Sequence, residues 1–522
     1  MSSPKTRPNV LFLISDDTAL EYIGFSGGGP RALTPNLDRI AREGMVFEQA
    51  YVSSAVCTPS RYSWFTGRHA GRCDSEPFLS ENPTETPYCI KWNVHAHDPR
   101  MTAGALLQSA GYATGYVGKM HCGLPAGQIG AKRLPEKANA DDPTLNQLLK
   151  ENQQAFIREL QRIGHDFAGG VHWGNLDDGA SCPSIQVHNI EWATANALEF
   201  LQQQENSDKP FFLTFATSVI HGPGHVEEGI EADPRITRGG YLDAPPQVQA
   251  PRETIRPRLE AAGLDYNHRT AGALWLDDAV GALLAQLETM GELDNTVIIY
   301  SSDHNVDGKG TCYERGSRVP LCVRWPGKVT AGTRTAALVQ NVDLIPTLME
   351  ITGAHAPEAM PLDGQSWLPL LTQRTDTTHE DLYLDNGWTR GLRHGRYKYF
   401  AFRYPEAALA ELQSGKTDEA MDYFGSTGQQ REIRNYPNFW DPDQLYDVKA
   451  DPEERNNLAG DPQYAKVLAD MRARLRKHLD TFAHPFDLSD QPFMHTERYR
   501  EMAAKTASIG PEIYDWYRRG IY

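Results

Sequence analysis

From Val10 to Ile14 the chain is apolar without a break, and it runs directly into Ser15-Asp16-Asp17. A continuous apolar run, rather than an alternating one, predicts a strand covered on both faces, as in a parallel sheet. Downstream, Thr34 as N-cap and Pro35 open a predicted helix whose apolar positions Leu37, Ile40 and Ala41 share one face, with Gly44 as its stop. The alternation recurs. Ala103 to Ala110 reads as helix, Gly111 ends it, and Tyr112 to Val117 reads as strand before Gly118-Lys119-Met120-His121. Pro210 to Phe215 predicts another buried strand and leads to His221. Helical spacing from Leu276 through Val280, Leu283, Leu284 and Leu287 breaks at Gly291 and Asn295. The β-branched run Thr296 to Tyr300 then predicts a strand ending in Ser301-Ser302-Asp303-His304.

Strands alternating with helices imply an α/β fold with a large, mostly parallel sheet sandwiched by helices. After Leu371 the texture changes to a polar stretch through His379, then short strand-like pieces (Asp381 to Leu384, Tyr397 to Phe402) and a helical segment from Tyr464 to Leu479. The expected division is an α/β domain over 1–375, a smaller C-terminal α+β subdomain over 376–486, and a Tyr- and Arg-rich tail over 487–522. That tail is expected to pack on the body or to join a neighbouring copy in a homo-oligomer.

At 522 residues the chain can build a large core, and a formal charge of −17 argues against a general nucleic-acid or anionic-membrane binder. Its seven cysteines show no Cys-x-x-Cys pair and no zinc-ligand spacing, so they read as mostly reduced thiols, with Cys73 and Cys89 as the pair that could bridge. The polar start Met1 to Pro8 is neither signal peptide nor membrane span, which places the chain as written in the cytoplasm. The same chain stripped of a leader would be periplasmic or secreted.

Two pairs of candidate ligands, Asp16-Asp17 and Asp303-His304, each follow an apolar strand, and parallel strands put both on one edge of the sheet. Three carboxylates there repel unless a cation neutralises them, and oxygen-rich donors suit Ca²⁺ or Mg²⁺ rather than zinc. Cys57 opens Cys57-Thr58-Pro59-Ser60-Arg61. On its own a cysteine reads as a small buried hydrophobe. At a helix N-terminus, with Arg61 on the same face, it would meet an anion through helix dipole and guanidinium together.

The Cys57 to Arg61 run resembles the modification signature of type I sulfatases, and the resemblance extends over about residues 8 to 460. It includes the Asn9 to Asp17 pattern, Thr34 to Asp38, Thr66-Gly67-Arg68, Gly118 to His121, Asp303-His304, Gly308 to Glu314 and Arg318-Val319-Pro320. Leu362 to Ser366, Leu445-Tyr446-Asp447, Asp451-Pro452 and Asn457-Leu458 continue it. The chain is thus similar to the formylglycine-dependent sulfatases of the alkaline phosphatase superfamily, and an alkaline-phosphatase-like fold is implied.

The resemblance implies that Cys57 is oxidised to formylglycine by a formylglycine-generating enzyme, and that the aldehyde hydrate attacks sulfur to form a covalent sulfate hemiacetal. It implies that Asp16, Asp17, Asp303 and His304 hold Ca²⁺, with Mg²⁺ or Mn²⁺ as alternatives, and that Asn305 competes with His304 as fourth ligand. Arg61 would hold the nucleophile, Lys119 and Lys309 the sulfate oxygens, and His121 would help eliminate sulfate. His221 would protonate the leaving alkoxide, with His225 as its rival. Three departures stand out: Met120 where the family often has Trp, Gly222 after His221, and Arg315 after Glu314. The implied activity is hydrolysis of a sulfate monoester, of a small carbohydrate or an aryl alcohol. Two segments carry the expected specificity: Asp74 to Asp98 with Trp92, His95 and His97, and His225 to Pro251 with Arg235, Arg238 and Tyr241. Trp92, His95 and Arg238, with Lys119, Lys309 and His221, are the expected substrate contacts. A phosphonate monoesterase or phosphodiesterase of the same superfamily is the alternative, and a non-catalytic binder of sulfated ligands is what the chain would be if Cys57 stayed a thiol.

Overall fold

The computed structural model describes residues 7–27, 31–176, 182–222, 226–357, 360–403, 436–439 and 441–489. His225 and most of the expected tail, 490–522, lie outside the described residues. Ten strands precede residue 375 among them. They are β1 (Asn9–Ser15), β2 (Met45–Tyr51), β3 (Ala113–Lys119), β4 (Phe167–His172) and β5 (Phe211–Ala216), then β6 (Ile236–Thr237), β7 (Gly240–Tyr241), β8 (Thr296–Ser302), β9 (Leu321–Arg324) and β10 (Thr333–Gln340). All but β6 and β7, which pair with each other, form one sheet in the order β10-β2-β9-β8-β1-β5-β3-β4. Every pairing is parallel except those of β9, which runs antiparallel to both neighbours.

β1 is buried along its whole length because each face of its pleat feeds a different core. Val10, Phe12 and Ile14 pack with the Cys57–Thr66 helix, where Phe12 lies 5.3 Å from Trp64 and 6.4 Å from Phe65 between ring centroids. Leu11 and Leu13 pack on the other face with the His268–Thr289 helix, among Leu274, Trp275, Val280 and Leu283. Helices on both faces and a sheet with a single reversed strand match the expected α/β class.

Several boundaries differ from the sequence reading. The first helix spans Pro35–Arg42 and buries Leu37, Ile40 and Ala41, but Glu43 caps its C-terminus. Gly44 serves another purpose: a Cβ there would sit 2.2 Å from the Val323 carbonyl oxygen, so glycine lets β9 approach. The Leu276 to Leu287 helix starts earlier, at His268, because the Asn267 side chain accepts from the Arg269 and Thr270 amides and Thr270 closes a capping box. All seven cysteines are free, so Cys73 and Cys89 are not bridged; Cys73 Sγ instead meets Ser75 Oγ at 3.3 Å and the His95 amide at 3.4 Å.

Past residue 375 an antiparallel sheet follows, β11 (Asp381–Asn386), β12 (Thr389–His394), β13 (Tyr397–Phe402) and β14 (Asp443–Asp447), backed by Met471, Leu475 and Leu479 of the Ala465–Leu479 helix. The end of β11 reaches the main sheet's loops. Asp385 Oδ1 accepts from Ser54 Oγ at 2.6 Å, its amide donates to Ser53 O at 2.9 Å, and Asn386 Nδ2 donates to Gly310 O.

Candidate active site

β8, β1, β5 and β3 are adjacent and parallel, so their carboxyl ends share one sheet edge. β1 delivers Asp16 and Asp17, β8 delivers Asp303 and His304, β3 ends in Lys119, and the segment after β5 carries His221. β2 runs parallel to them, and the loop after it leads to Cys57, the first residue of the Cys57–Thr66 helix. Gly118 permits the approach of β3 to β5: with φ +99°, its missing Cβ would fall 1.8 Å from the Ala216 carbonyl oxygen.

Cys57 Sγ lies 3.5 Å from Asp16 Oδ1 and 3.2 Å from His304 Nε2, and His304 Nε2 lies 3.1 Å from Asp17 Oδ1. Donor atoms of Asp16, Asp17, Cys57 and His304 all fall within 4.8 Å of one another. Asp303 stands beside this group, 3.9 Å from His304 Nε2, and is turned to other partners. Its carboxylate accepts from Arg61 Nε at 3.0 Å, the Asp17 amide at 3.1 Å and the His304 amide at 2.9 Å. Asn305 is engaged elsewhere, accepting the Asp307 amide at 3.1 Å to cap a short 3₁₀ turn. The imidazole of His304, not the Asn305 amide, faces the cluster.

Fixed cations surround these acids. Lys119 Nζ bonds Asp16 Oδ2 and, at 2.6 Å, Asn175 Oδ1. Lys309 Nζ bonds both oxygens of Asp17 at 3.0 and 3.1 Å and lies 2.9 Å from His221 Nε2. Arg61, 0% exposed, also donates from Nη1 to Lys119 O at 2.7 Å, tying the helix to the end of β3. Burial pushes the Asp16 carboxyl up, but Lys119, with His221, Arg61 and Lys309, holds it well below the usual carboxylate range. Asp303 goes the other way, to about 6, through burial and the Asp16 charge. Burial and Asp16 push the Cys57 thiol well above its usual value, so the sulfur stays protonated.

These residues fit the groups that a formylglycine-dependent site requires. Buried carboxylates and one imidazole form a hard, mostly oxygen donor set suited to a divalent cation, and a cation would relieve the crowding that raises Asp303. A neutral, fully buried thiol is a poor nucleophile, whereas its position among acids and ammonium groups suits a hydrated aldehyde.

The histidines differ in placement. His221 Nδ1 faces the Gly222 carbonyl and Nε2 faces Lys309 and, at 3.7 Å, Asp17 Oδ2; burial and Lys309 push its pKa down to about 3. His121 has a left-handed backbone, φ +57°, like Asp17 at +53°. Side chains rarely adopt that region outside constrained sites. The His121 amide donates to Trp173 O at 2.8 Å. Among the expected specificity residues, His95 lies beside this loop, its Nδ1 2.8 Å from Gly123 O, and Arg238 Nη1 donates to Leu176 O at 3.0 Å, next to Asn175. Arg235 and Tyr241 are engaged with Asp233, at 2.7 and 2.6 Å. Trp92 is 37% exposed, and among the described residues no hydrogen bond, ion pair or ring contact joins it to the cluster.

Sequence reading passes over Asn175 because β4 is Phe-Ala-Gly-Gly-Val-His, a run that its glycines keep from reading as a strand. The rule that finds the two pairs of candidate ligands, inspection of the residues just past each strand, would find Asn175 once β4 is recognised.

A family model described as Sulfatase matches residues 8–354, and one described as N-sulphoglucosamine sulphohydrolase, C-terminal, matches residues 302–481. The chain is 26% identical over 519 residues to the N-acetylglucosamine-6-O-sulfatase of Bacteroides thetaiotaomicron, covering 88% of this chain and 84% of that one. Its fold is similar to that of a protein solved in complex with its substrate D-glucosamine-2-N,6-O-disulfate, with a TM-score of 0.57, 21% identity and coverage of 91% and 98%. It is also similar to the phosphonate monoester hydrolase of Agrobacterium radiobacter, with a TM-score of 0.56, 19% identity and coverage of 90% and 96%.

Proposed function

Because this chain belongs to the sulfatase family, we propose that it removes sulfate from a carbohydrate sulfate monoester, with residue 57 working as formylglycine beside Ca²⁺. Sulfuric ester hydrolysis comes with the family; the sugar, the calcium and the residue roles are the proposed part. The observation that carries the reading is the placement of Cys57 Sγ against both Asp16 and His304, with Lys119 and Lys309 bonded to the same acids.

Asp16, Asp17 and His304 would hold the cation, with Asp303 Oδ1, 3.9 Å from His304 Nε2, as the fourth donor beside them, and the cation would polarise a sulfate oxygen. Formylglycine would supply a hydroxyl nucleophile and a second hydroxyl through which sulfate is expelled. Lys119 and Lys309, fixed by Asp16, Asn175 and Asp17, present ammonium groups to the remaining sulfate oxygens, and such preorganised charge is the main source of stabilisation in anionic group transfer. Arg61 holds Asp303 and the end of β3, so the first turn of the Cys57 helix cannot shift against the acids. With Nδ1 donating to Gly222 O, His221 Nε2 accepts from Lys309 Nζ, and this pair holds the proton that the leaving oxygen needs. His121, held by Trp173 at the end of the Lys119 loop, is the residue assigned to sulfate expulsion.

A sugar is supported by the named sulfatase relative and by the substrate in the solved neighbour. His95 and Arg238 are the proposed sugar contacts on either side of the Lys119 loop. Maturation requires a formylglycine-generating enzyme. Enzyme co-produced with one and supplied with Ca²⁺ is expected to hydrolyse glucosamine 6-sulfate and 4-nitrophenyl sulfate, and Cys57→Ala to hydrolyse neither. Faster turnover of a 4-nitrophenyl phosphonate monoester than of either sulfate would overturn the assignment in favour of phosphonate chemistry.

A further inference from the structure

His188 is 2% exposed and lies behind the segment that carries His221, yet no step of the hydrolysis described above uses it. It precedes the Ile190–Gln203 helix, whose first turn is capped by the Asn189 side chain accepting from the Trp192 amide at 3.1 Å. His188 is thus the residue just before the N-cap of that helix. Nε2 lies 2.7 Å from the His221 carbonyl oxygen and Nδ1 lies 3.3 Å from Ser218 Oγ. A carbonyl only accepts, so Nε2 carries the hydrogen and Nδ1 receives the Ser218 hydroxyl. Burial, pushing the pKa of His188 down to about 4, keeps the ring in that neutral form.

The segment from Thr217 to Gly222 has no regular structure of its own and is pinned from two sides. On one side the Asp16 amide donates to Val219 O at 3.2 Å and the Ile220 amide donates to Asp16 O at 2.8 Å. On the other side stands His188. The His221 amide also closes a turn onto the Ser218 carbonyl at 3.0 Å, so His188, touching Ser218 Oγ and the His221 carbonyl, grips both ends of the turn from which the imidazole reaches Lys309.

We propose that His188 is a positioning residue for the leaving-group proton: it clamps Ser218 and the His221 carbonyl so that the His221 imidazole stays on Lys309 and faces the departing oxygen. The inference rests on the sulfatase reading and on the His221–Lys309 pair as the source of that proton.

Proton donation matters most for poor leaving groups, and this separates positioning from general loosening. The formylglycine-bearing enzyme is assayed with Ca²⁺ on substituted phenyl sulfates from 4-nitrophenyl to 4-methoxyphenyl sulfate, and log kcat/KM is plotted against the pKa of the released phenol. His221→Ala and His188→Ala are both expected to steepen the slope, with a loss for His188→Ala of about 10- to 100-fold on 4-methoxyphenyl sulfate, the scale of a misplaced catalytic group. His188→Gln, whose amide can still donate to the carbonyl, is expected to recover most of it. An equal loss across the series, with an unchanged slope, would sink the proposal. If His221→Ala leaves the slope unchanged, the assignment of the leaving-group proton to the His221–Lys309 pair falls and this inference falls with it. If His221→Ala steepens the slope and His188→Ala does not, only the role of His188 falls. Should His188→Ala fail to fold, Ser218→Ala removes the hydroxyl that orients the ring; the same steepening, smaller, is expected, and a wild-type slope counts against the clamp. A crystal structure of His188→Gln or Ser218→Ala asks the question without turnover. A disturbed His188 ring with His221 Nε2 unmoved from Lys309 would refute it.

Discussion

Cys57 combines two properties that pull apart unless the residue is converted. It sits among every charged group of the site, and as a thiol it is held protonated by burial and by Asp16. Its conversion is therefore expected to show as a mass at residue 57 below that of cysteine and as reactivity toward hydrazides. Cys57→Ser, which offers one hydroxyl and no second exit for sulfate, should lose at least about a thousandfold in kcat, as nucleophile replacements commonly do. Arg61 is the second residue whose identity is constrained. One guanidinium serves Asp303 through Nε and Lys119 O through Nη1, and a lysine ammonium cannot span both. Arg61→Lys should lower stability by about 3 kcal/mol, because one of the buried Asp303 Oδ2 and Lys119 O contacts is lost, read as a fall in the urea midpoint.

At the scale of elements, the site depends on strands that end together. The apolar periods of β1, β5 and β8 are legible because each is a run of large or β-branched side chains closed by polar residues, and β3, despite Gly115 and Gly118, is legible from Tyr116-Val117 and from the Gly111 that ends the helix before it. β4 is not, since two glycines in six residues carry no period, and its loop supplies the Asn175 that holds Lys119. The early start of the His268–Thr289 helix also escapes the pattern, because its first turn is fixed by side-chain capping rather than by an apolar stripe. Gly44 makes the converse point: it reads as a helix stop, but its reason is the Val323 carbonyl of β9. Gly44→Ala should force β2 and β9 apart and cost about 1–3 kcal/mol, as overpacking usually does, seen as a lower melting temperature.

Across the whole molecule, the C-terminal sheet is bonded to the loops that carry Cys57 and Lys309, through Asp385 on Ser54 and Asn386 on Gly310. Lys398 of β13 adds a buried joint, 3.1 Å from Glu314 and 3.6 Å from Glu454. One lysine between two carboxylates leaves one acid poorly compensated: burial and Glu314 push the Glu454 pKa up to about 8, while Lys398 overcomes burial to hold Glu314 low. A carboxyl raised on folding is stabilising while protonated, so its contribution is complete below the unfolded value and is lost as pH rises through about 8. The melting temperature should therefore fall as pH rises from about 5 to about 8 and level off above it, and Glu454→Gln should flatten that fall; a variant as pH-sensitive as the wild type would show that Glu454 is not the group. The proposed Ca²⁺ would be a second linkage of the whole fold. Chelation should abolish turnover and lower the melting temperature, and stepwise return of Ca²⁺ should restore both together, since a cation that binds only the folded site stabilises it by mass action. The α/β class, the residues at the carboxyl ends of the apolar strands, and the family can all be read from the chain before it folds, because periodicity and contiguous motifs are local properties. It takes the folded arrangement to bring His304 and not Asn305 to the acids, to turn Asp303 to Arg61, to set Trp92 apart, and to place Asn175 against Lys119 and His188 against the His221 carbonyl. Those contacts join side chains tens to hundreds of residues apart, and their partners are set by packing across the sheet edge, for which no local period exists.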